Sequence, residues 1–220
     1  MLSSVDNMRS LTFLSILGII LIGCSHSTEP PLTVPVTAAA GLTDVNLLAQ
    51  SYNKGLRFMS VMSNNVNLDG LSVTWQYTYY YPDTTIPPKL YWFHANSIGV
   101  AFDSTSLMGV GSAVITHTWF NSDLAMHIAE QNGGSQFRSN NPNYVIAASV
   151  GEPVVPNPTT YWNIGYYSNN DKTKFLLLRI DANTGEVKTY GSDSKQPSER
   201  NAEIHCSDAV INLCRIYFIG

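Results

Sequence analysis

Hydrophobic and polar residues alternate most clearly over residues 161–166, YWNIGY, which predicts a half-buried β-strand. A second apolar run, residues 175–180, follows the turn-forming sequence Ser168-Asn169-Asn170-Asp171. That run leads into Asp181-Ala182-Asn183-Thr184-Gly185, where Gly185 can adopt the positive φ that a type I turn with a bulge requires. These residues predict two antiparallel strands of a packed sheet.

A helix is predicted ahead of the strands in the first half of the chain. Thr43 is a suitable N-cap and an acid follows it. Four apolar residues then recur at helical spacing: Leu48, Tyr52, Leu56 and Met59. Residues 71–81, rich in aromatic and β-branched side chains, predict a strand. Residues 90–95 and 98–102 predict one further strand or a bulged pair.

The second half repeats this order of elements. Ser122 is a suitable helix N-cap, and Gly133-Gly134 is a helix stop. The apolar face of this helix comprises Leu124, Ala125, Ile128 and Ala129. A strand is predicted from Tyr144 to Val150, ahead of the strand that begins at Tyr161.

The two halves also match at the level of single residues. Trp75-Gln76-x-x-Tyr79-Tyr80 aligns with Trp162-Asn163-x-x-Tyr166-Tyr167. Val100-x-Phe102-Asp103 aligns with Leu178-x-Ile180-Asp181. These two segments are fewer positions apart along the chain than the first two, because the first half has extra residues in its proline-rich loop. The matches predict a tandem duplication, although aromatic strands also resemble one another by chance.

The second half resembles a known family, the PepSY domains. The likeness rests on Ala129, Gly134, Trp162, Tyr166 and above all on Ile180-Asp181-Ala182-Asn183-Thr184-Gly185-Glu186-Val187. The likeness covers residues 122–190. It extends only weakly to residues 43–104, because that half lacks the Thr-Gly-Glu turn. The resemblance implies a helix ahead of a three-stranded sheet, in an extracytoplasmic module that inhibits or holds a protein partner. In architecture alone, tandem units of this kind are also similar to bacterial β-lactamase inhibitor proteins.

The predicted fold class is therefore α+β, with two helix-plus-antiparallel-sheet units that are PepSY- or cystatin-like and form a possible tandem repeat. Residues 42–120 would form the first unit and residues 121–190 the second. Residues 191–220 would form a linker and a C-terminal strand pair stapled by a disulfide.

The N-terminus has the pattern of a bacterial lipoprotein signal. Arg9 precedes an apolar run, residues 11–21, that is too short to span a membrane comfortably. Leu21-Ile22-Gly23-Cys24 resembles a lipobox, which implies that residues 1–23 are removed and that Cys24 is lipidated. Residues 24–41 would be the tether, and translation could start at Met8. The alternative is an ordinary signal peptide with an incidental cysteine.

The resemblance to lipoproteins implies a place in the bacterial cell envelope, anchored to the membrane through the lipid. Ser25, after the lipidated cysteine, fits outer-membrane sorting in a Gram-negative host. Cys206 and Cys214 then remain as an even pair in an oxidising compartment, which predicts a disulfide. The alternative is two buried, reduced thiols.

Charge and motifs exclude several functions. The net charge is −4 and only 13% of residues are charged, with no basic stripe, so nucleic acid is not an expected partner. Catalytic signatures are absent from the sequence. Four histidines, His94, His117, His127 and His205, lie in separate predicted elements, which argues against a metal site. Asp103 and Asp181 are expected to accept backbone hydrogen bonds in the turns that follow them. We expect no cofactor and no catalysis.

The many aromatic residues carry the prediction of function. Alternation sends Trp75, Tyr77 and Tyr79 to one side of a strand and Tyr80 to the other, and Tyr167 is the counterpart of Tyr80 in the second half. Tyr80 and Tyr167 are thus the candidate binding face, unless both sides of the sheet are buried. The prediction is a non-catalytic, lipid-anchored binding or inhibitory module whose partner is a protein, such as a secreted or periplasmic enzyme. The alternatives are a small-molecule or enzymatic pocket between helix and sheet, and a purely structural envelope lipoprotein.

Overall fold

The computed structural model describes residues 32–82, 89–107, 113–153, 158–191, 202–205 and 215–218. The first half of the chain forms helix α1 (Leu42–Tyr52) and strands β1 (Arg57–Ser63), β2 (Trp75–Tyr81), β3 (Lys89–Ala95) and β4 (Val100–Leu107). The second half forms helices α2 (Ser122–Ala129) and α3 (Ser135–Asn140), joined by a π-helical turn (Glu130–Gly134), and strands β5 (Tyr144–Gly151), β6 (Tyr161–Ser168), β7 (Phe175–Asp181) and β8 (Val187–Gly191). A separate hairpin follows, formed by β9 (Ala202–His205) and β10 (Arg215–Phe218).

Strands β1–β8 form one antiparallel sheet in the order β4-β3-β2-β1-β5-β6-β7-β8. Each half is a four-stranded meander, and the two meanders join through their first strands, with Val61 of β1 opposite Val150 of β5. Helix α1 contacts β3 and β4, whereas α2 contacts β6 and β7. Each helix therefore covers the sheet of its own half, and the chain has the predicted α+β architecture.

Two tryptophans occupy equivalent places in the two halves, as the repeat predicts. Trp75 lies in β2 and Trp162 in β6, and both are fully buried. Each indole Nε1 donates a 2.8 Å hydrogen bond to a carbonyl ahead of its own helix, that of Val36 or Phe120. The two rings meet edge to face, with centroids 6.3 Å apart. This contact places the centre of the core where the two halves meet.

The first helix is shorter than predicted. It ends at Tyr52, so Leu56 and Met59 belong to the chain that enters β1 and not to the helix. Its N-cap is Gly41 instead of Thr43, and its buried residues are Val45 and Ala49. Apolar residues spaced by three and four positions suit a helix, but this spacing also spans a helix end followed by a strand.

The second helix begins after Asn121, whose side chain accepts a 2.8 Å hydrogen bond from the amide of Ser122. The N-cap is therefore Asn121 and not the predicted Ser122. Ser122 links the two halves, because its hydroxyl donates to the carbonyl of Gly70 at 2.6 Å and accepts from the amide of Ala38 at 3.0 Å. The helix buries Ala125, Met126 and Ala129, while the predicted core residue Leu124 is 46% exposed. Gly133, with a φ of +112°, interrupts the helical geometry, which resumes in α3.

The strand equivalences are partly different from those predicted. Each half has four strands, whereas the PepSY resemblance implies three. Phe102 lies in the fourth strand of its half and pairs with Phe93, so it is not the counterpart of Ile180, which pairs with Trp162. Ala95, opposite Trp75, occupies the equivalent position.

The turn after β7 has the predicted geometry. Gly185 has a φ of +77°, and Asp181 Oδ1 accepts hydrogen bonds of 2.9 Å from the amides of Asn183 and Thr184. Farther along, β9 and β10 confirm the predicted C-terminal strand pair. Cys24, Cys206 and Cys214 lie outside the described residues, so the predicted lipidation and disulfide stay predictions.

Candidate binding face

The sheet has one side covered by helices and one side that the described helices leave open. Trp75, Tyr77 and Tyr79 are buried on the covered side of β2. Because side chains alternate along a strand, Gln76, Thr78 and Tyr80 lie on the opposite side. We call this opposite side of β1–β8 the helix-free face.

The first half of the helix-free face is built from cross-strand rows, since residues directly opposite one another share a face. The rows across β1, β2 and β3 are Arg57-Tyr80-Leu90, Ser60-Thr78-Trp92 and Met62-Gln76-His94. The Trp92 indole donates a 3.0 Å hydrogen bond to Ser106 Oγ on β4, and His94 Nδ1 contacts Asp103 Oδ1. Asp103 thus pairs with an imidazole on this face, instead of accepting from the turn that was expected to follow it. We call this region the Tyr80 half.

Thr78 is the one described residue with a buried side-chain hydroxyl that lacks a hydrogen-bond partner within the described parts of the chain. It is only 3% exposed, although it lies on the helix-free face between Ser60 and Trp92. A buried hydroxyl without a partner costs about 1–3 kcal/mol. Within the described residues, no hydrogen bond offsets the burial of the Thr78 hydroxyl at the centre of the Tyr80 half.

The second half of the helix-free face has the same construction but a different composition. The rows across β5, β6 and β7 are Val145-Tyr167-Phe175, Ala147-Gly165-Leu177 and Ser149-Asn163-Arg179. A Cβ at Gly165 would lie 2.5 Å from the Tyr167 hydroxyl, so the Tyr167 ring occupies the space that glycine leaves. The Arg179 guanidinium lies 5.2 Å from the centre of the Tyr161 ring, and its Nε donates to Asn163 Oδ1 at 3.3 Å. We call this region the Tyr167 half.

The two tyrosines predicted as the binding face lie on the same side of the sheet but far apart. Both are half-buried. Tyr80 is opposite Arg57, the first residue of β1. Tyr167 is opposite Val145 of β5, and the pairing of β1 with β5 stops at Ala148, so Val145 lies beyond the last residue of β1. Strand spacing of about 4.8 Å and a rise of about 3.3 Å per residue put them roughly 30 Å apart. The structure therefore does not bring them into one small site.

A second cluster, centred on Glu152, was not predicted from the sequence. The carboxylate follows β5 and has a fully buried side chain. Its Oε1 accepts hydrogen bonds from the amides of Thr116 (2.8 Å) and His117 (3.0 Å) and from the Thr160 hydroxyl (2.8 Å). His117 Nδ1 lies 3.0 Å from the same oxygen, and its imidazole is half exposed.

Hydrogen bonding decides the charge state of Glu152. Burial alone would raise the pKa of this carboxyl group, but the Thr116 amide, His117 and Thr160 together outweigh burial and lower the pKa. Glu152 is thus ionised at neutral pH and ties the segment ahead of α2 to the ends of β5 and β6. No signal in the sequence could have found it, because Thr116 and Thr160 are distant along the chain.

A third polar cluster lies on the helix side, where the helical geometry is interrupted. Glu130 accepts from the Tyr166 hydroxyl at 2.9 Å and from Arg138 Nε at 3.1 Å. The Arg138 guanidinium lies 5.7 Å from the centre of the Tyr144 ring. Burial and the neighbouring Glu130 raise the pKa of Tyr166. Since every partner is a neighbouring protein side chain, the arrangement fits a structural role that fixes the π-helical turn on β6.

The histidines of the described residues do not converge. His94 pairs with Asp103, His117 with Glu152, and His127 Nε2 lies 3.0 Å from Gln131. Across the described ranges, no group of three or more histidine, cysteine, aspartate or glutamate side chains is arranged to hold a metal ion. In the same ranges, the structure contains no helix with the length and apolarity needed to cross a membrane.

Comparisons with known proteins do not assign this chain to a family. No protein-family model, curated protein or solved structure matches it. The PepSY resemblance of residues 122–190 therefore stays a proposal. The candidate function rests on the geometry of the helix-free face.

Proposed function

We propose that this chain is a non-catalytic binding module that holds or inhibits a protein partner on the helix-free face of its sheet. The observation that carries the proposal is the composition of that face in the Tyr80 half. Tyr80 lies between Arg57 and Leu90, and Trp92 lies in the row of Ser60 and Thr78. Tyrosine and tryptophan are enriched at protein interfaces, because they bury a large rigid area at low entropic cost.

The size of the face favours a protein over a small ligand. Eight strands at about 4.8 Å spacing make a sheet roughly 34 Å wide. A standard protein interface buries about 800 Å² on each partner, which a surface of this width can supply. The layer between helices and sheet is filled instead by buried aromatic residues, among them Trp75, Tyr77 and Trp162. This filling disfavours the alternative of a pocket between helix and sheet.

We further propose that the module acts in the bacterial cell envelope. The support is the lipobox-like sequence that ends at Cys24, followed by a proline-containing tether over residues 24–41. The PepSY-like features of residues 122–190 agree with an extracytoplasmic inhibitory or holding role. Cys206 and Cys214 each lie one residue beyond the described pair His205–Arg215, which favours a disulfide between them.

Capture from envelope extract tests the proposal. Three soluble proteins that span residues 25–220 would be immobilised and compared: the parent chain, Tyr80→Ser and Leu47→Ser. Leu47 is a matched control because it is 67% exposed on α1, on the opposite side of the sheet. We expect a protein that the parent and Leu47→Ser retain and that Tyr80→Ser loses. Equal retention by all three would exclude the Tyr80 half as the docking surface.

A further inference from the structure

Three segments of the chain meet at one end of the first half of the sheet. Strands β1 and β3 run in the same direction, because each is antiparallel to β2, so both of them end there. The connections that follow these two strands are residues 64–74 and residues 96–99. The third segment, residues 33–36, is the chain that leads toward α1. We call the three segments together the entry end.

Hydrogen bonds hold the segments of the entry end together. Val36 and Ser72 exchange two hydrogen bonds of 2.9 Å between their amides and carbonyls. The Val34 amide donates a 2.9 Å hydrogen bond to Ser97 Oγ. The segment of residues 33–36 is thus fixed to both connections, and the chain enters the fold at this end of the sheet.

The entry end presents apolar side chains to solvent. Its exposed apolar residues, each 42–53% exposed, are Val34, Leu68, Val73 and Ile98. They are four of the nine large apolar residues that are exposed in the described parts of the chain. Asn96 Oδ1 accepts a 2.8 Å hydrogen bond from the Ile98 amide, so the turn satisfies this backbone donor while the Ile98 side chain stays in solvent. Single exposed apolar residues are ordinary, but a group at one end marks an interaction surface.

The composition of the entry end fits an uncharged surface. Asp69 is the only charged residue in its three segments, and the other polar residues are asparagine, serine and threonine. With no lysine or arginine, the entry end has no cation to attract an acidic partner. Exposed aliphatic side chains among uncharged polar groups suit the boundary between headgroups and acyl chains of a zwitterionic bilayer.

The tether makes lipid the surface that the entry end meets. Cys24, the proposed lipid-bearing residue, precedes Val34 by ten positions. A flexible chain of ten residues spans about 17 Å, and one fully extended as polyproline II spans about 31 Å. To bring the opposite end of the sheet to the bilayer, the tether would have to run back along strands of seven residues, which are about 23 Å long. Only its most extended conformations reach that far, so the entry end stays nearest the bilayer.

We propose that the entry end rests on the lipid bilayer, with Ile98 and Val73 in the headgroup layer. This inference rests on the proposed function, because it takes the lipid anchor at Cys24 as given. The lipid holds the protein at the membrane, and the entry end sets its orientation. Strands β1–β4 then point away from the bilayer, so a protein partner approaches the helix-free face from the side.

Photo-crosslinking to lipid tests the contact in the anchored protein. The full chain would be produced in bacteria as Ile98→p-benzoylphenylalanine or as Leu47→p-benzoylphenylalanine, and reconstituted into phosphatidylcholine vesicles. Leu47 is the matched control, because it is also apolar and 67% exposed but lies on α1. We expect position 98 to give about fivefold or more lipid adducts than position 47 by mass spectrometry, because only the entry end enters the headgroup layer.

Vesicle flotation separates failure of this contact from failure of the anchor. Equal lipid adducts from positions 98 and 47 in protein that floats would mean that the chain is anchored but that the entry end does not orient it. Crosslinks from position 98 to a second chain instead of lipid would mean that a protein covers the entry end. Either result would overturn the proposal.

A chain that does not float lacks the proposed anchor, and the contact is then tested without it. The same two variants would carry a hexahistidine tag in place of residues 1–23 and would be held on vesicles that contain a nickel-chelating lipid. An excess of lipid adducts at position 98 would support the contact, and equal adducts at both positions would overturn it.

Discussion

Replacing Glu152 by glutamine tests whether one buried carboxylate holds the second half together. The substitution keeps the shape of the side chain but removes its charge. Three donors, the amides of Thr116 and His117 and the Thr160 hydroxyl, now bond an ionised oxygen at 2.8–3.0 Å. A hydrogen bond to a charged group contributes about 1.5–3 kcal/mol, against about 0.5–1.5 kcal/mol for a neutral pair. The sum over the three donors is about 3 kcal/mol, but glutamine also removes the cost of burying a charge, so the expected loss is about 2 kcal/mol.

Urea unfolding at pH 7, monitored by tryptophan fluorescence, measures this loss. For a chain of this size, about 2 kcal/mol corresponds to a fall in Tm of roughly 4–8 °C. Glu186→Gln is the control, because Glu186 is an exposed acid in the turn between β7 and β8. It should change the free energy of unfolding by less than about 0.5 kcal/mol.

The pH dependence supplies an independent check on the sign. The folded-state pKa of Glu152 is lowered, so its stabilisation is fully present above the unfolded value of about 4.3 and is lost as the pH falls through the folded pKa. The difference between the parent chain and Glu152→Gln should shrink over that acid range. A loss under about 1 kcal/mol at pH 7, or a difference that grows on acidification, would refute this account of Glu152.

Four further predictions concern the core, the helix-free face and the cysteines. Trp162→Ala should lower the free energy of unfolding by about 3–5 kcal/mol, since the indole is fully buried, and a loss under about 1.5 kcal/mol in urea unfolding would contradict its place in the core. Thr78→Val should raise stability by up to about 1 kcal/mol, because it removes a buried hydroxyl without a described partner, whereas a destabilisation would show that the hydroxyl is satisfied. Cys24→Ser should move the protein out of the membrane fraction, and unchanged fractionation would reject lipidation. Non-reducing mass spectrometry should find Cys206 and Cys214 in one linked peptide, and alkylation of both without reduction would reject the disulfide.

Local patterns were sufficient to predict much of the second half. The alternation over residues 161–166 and the Asp181–Gly185 turn depend on neighbours along the chain, and the structure places both as expected. The opposite faces of β2 followed from the same reasoning. Strand β1 was missed because Leu56 and Met59 continue the helical spacing of α1, and spacing alone does not show where a helix ends.

Contacts between distant residues could not be predicted in the same way. The pairing of β1 with β5 joins the halves through residues about ninety positions apart, and single-strand patterns carry no information about that partner. The Glu152 cluster also depends on three separate segments. The distance of roughly 30 Å between Tyr80 and Tyr167 follows only from this register, so the sequence could place both on one face but not show that they form separate regions.

The affinity of the captured partner for the Tyr80 half tests the central claim most directly. Titration calorimetry would compare the parent chain, Tyr80→Ala and the control Leu47→Ala with the same purified partner. An aromatic hot spot contributes about 2 kcal/mol or more, so Tyr80→Ala should raise Kd by about thirtyfold or more, while Leu47→Ala leaves Kd within about twofold. Unfolding in urea should show that both variants are folded. An unchanged Kd for Tyr80→Ala would contradict the claim that the partner docks on this part of the helix-free face.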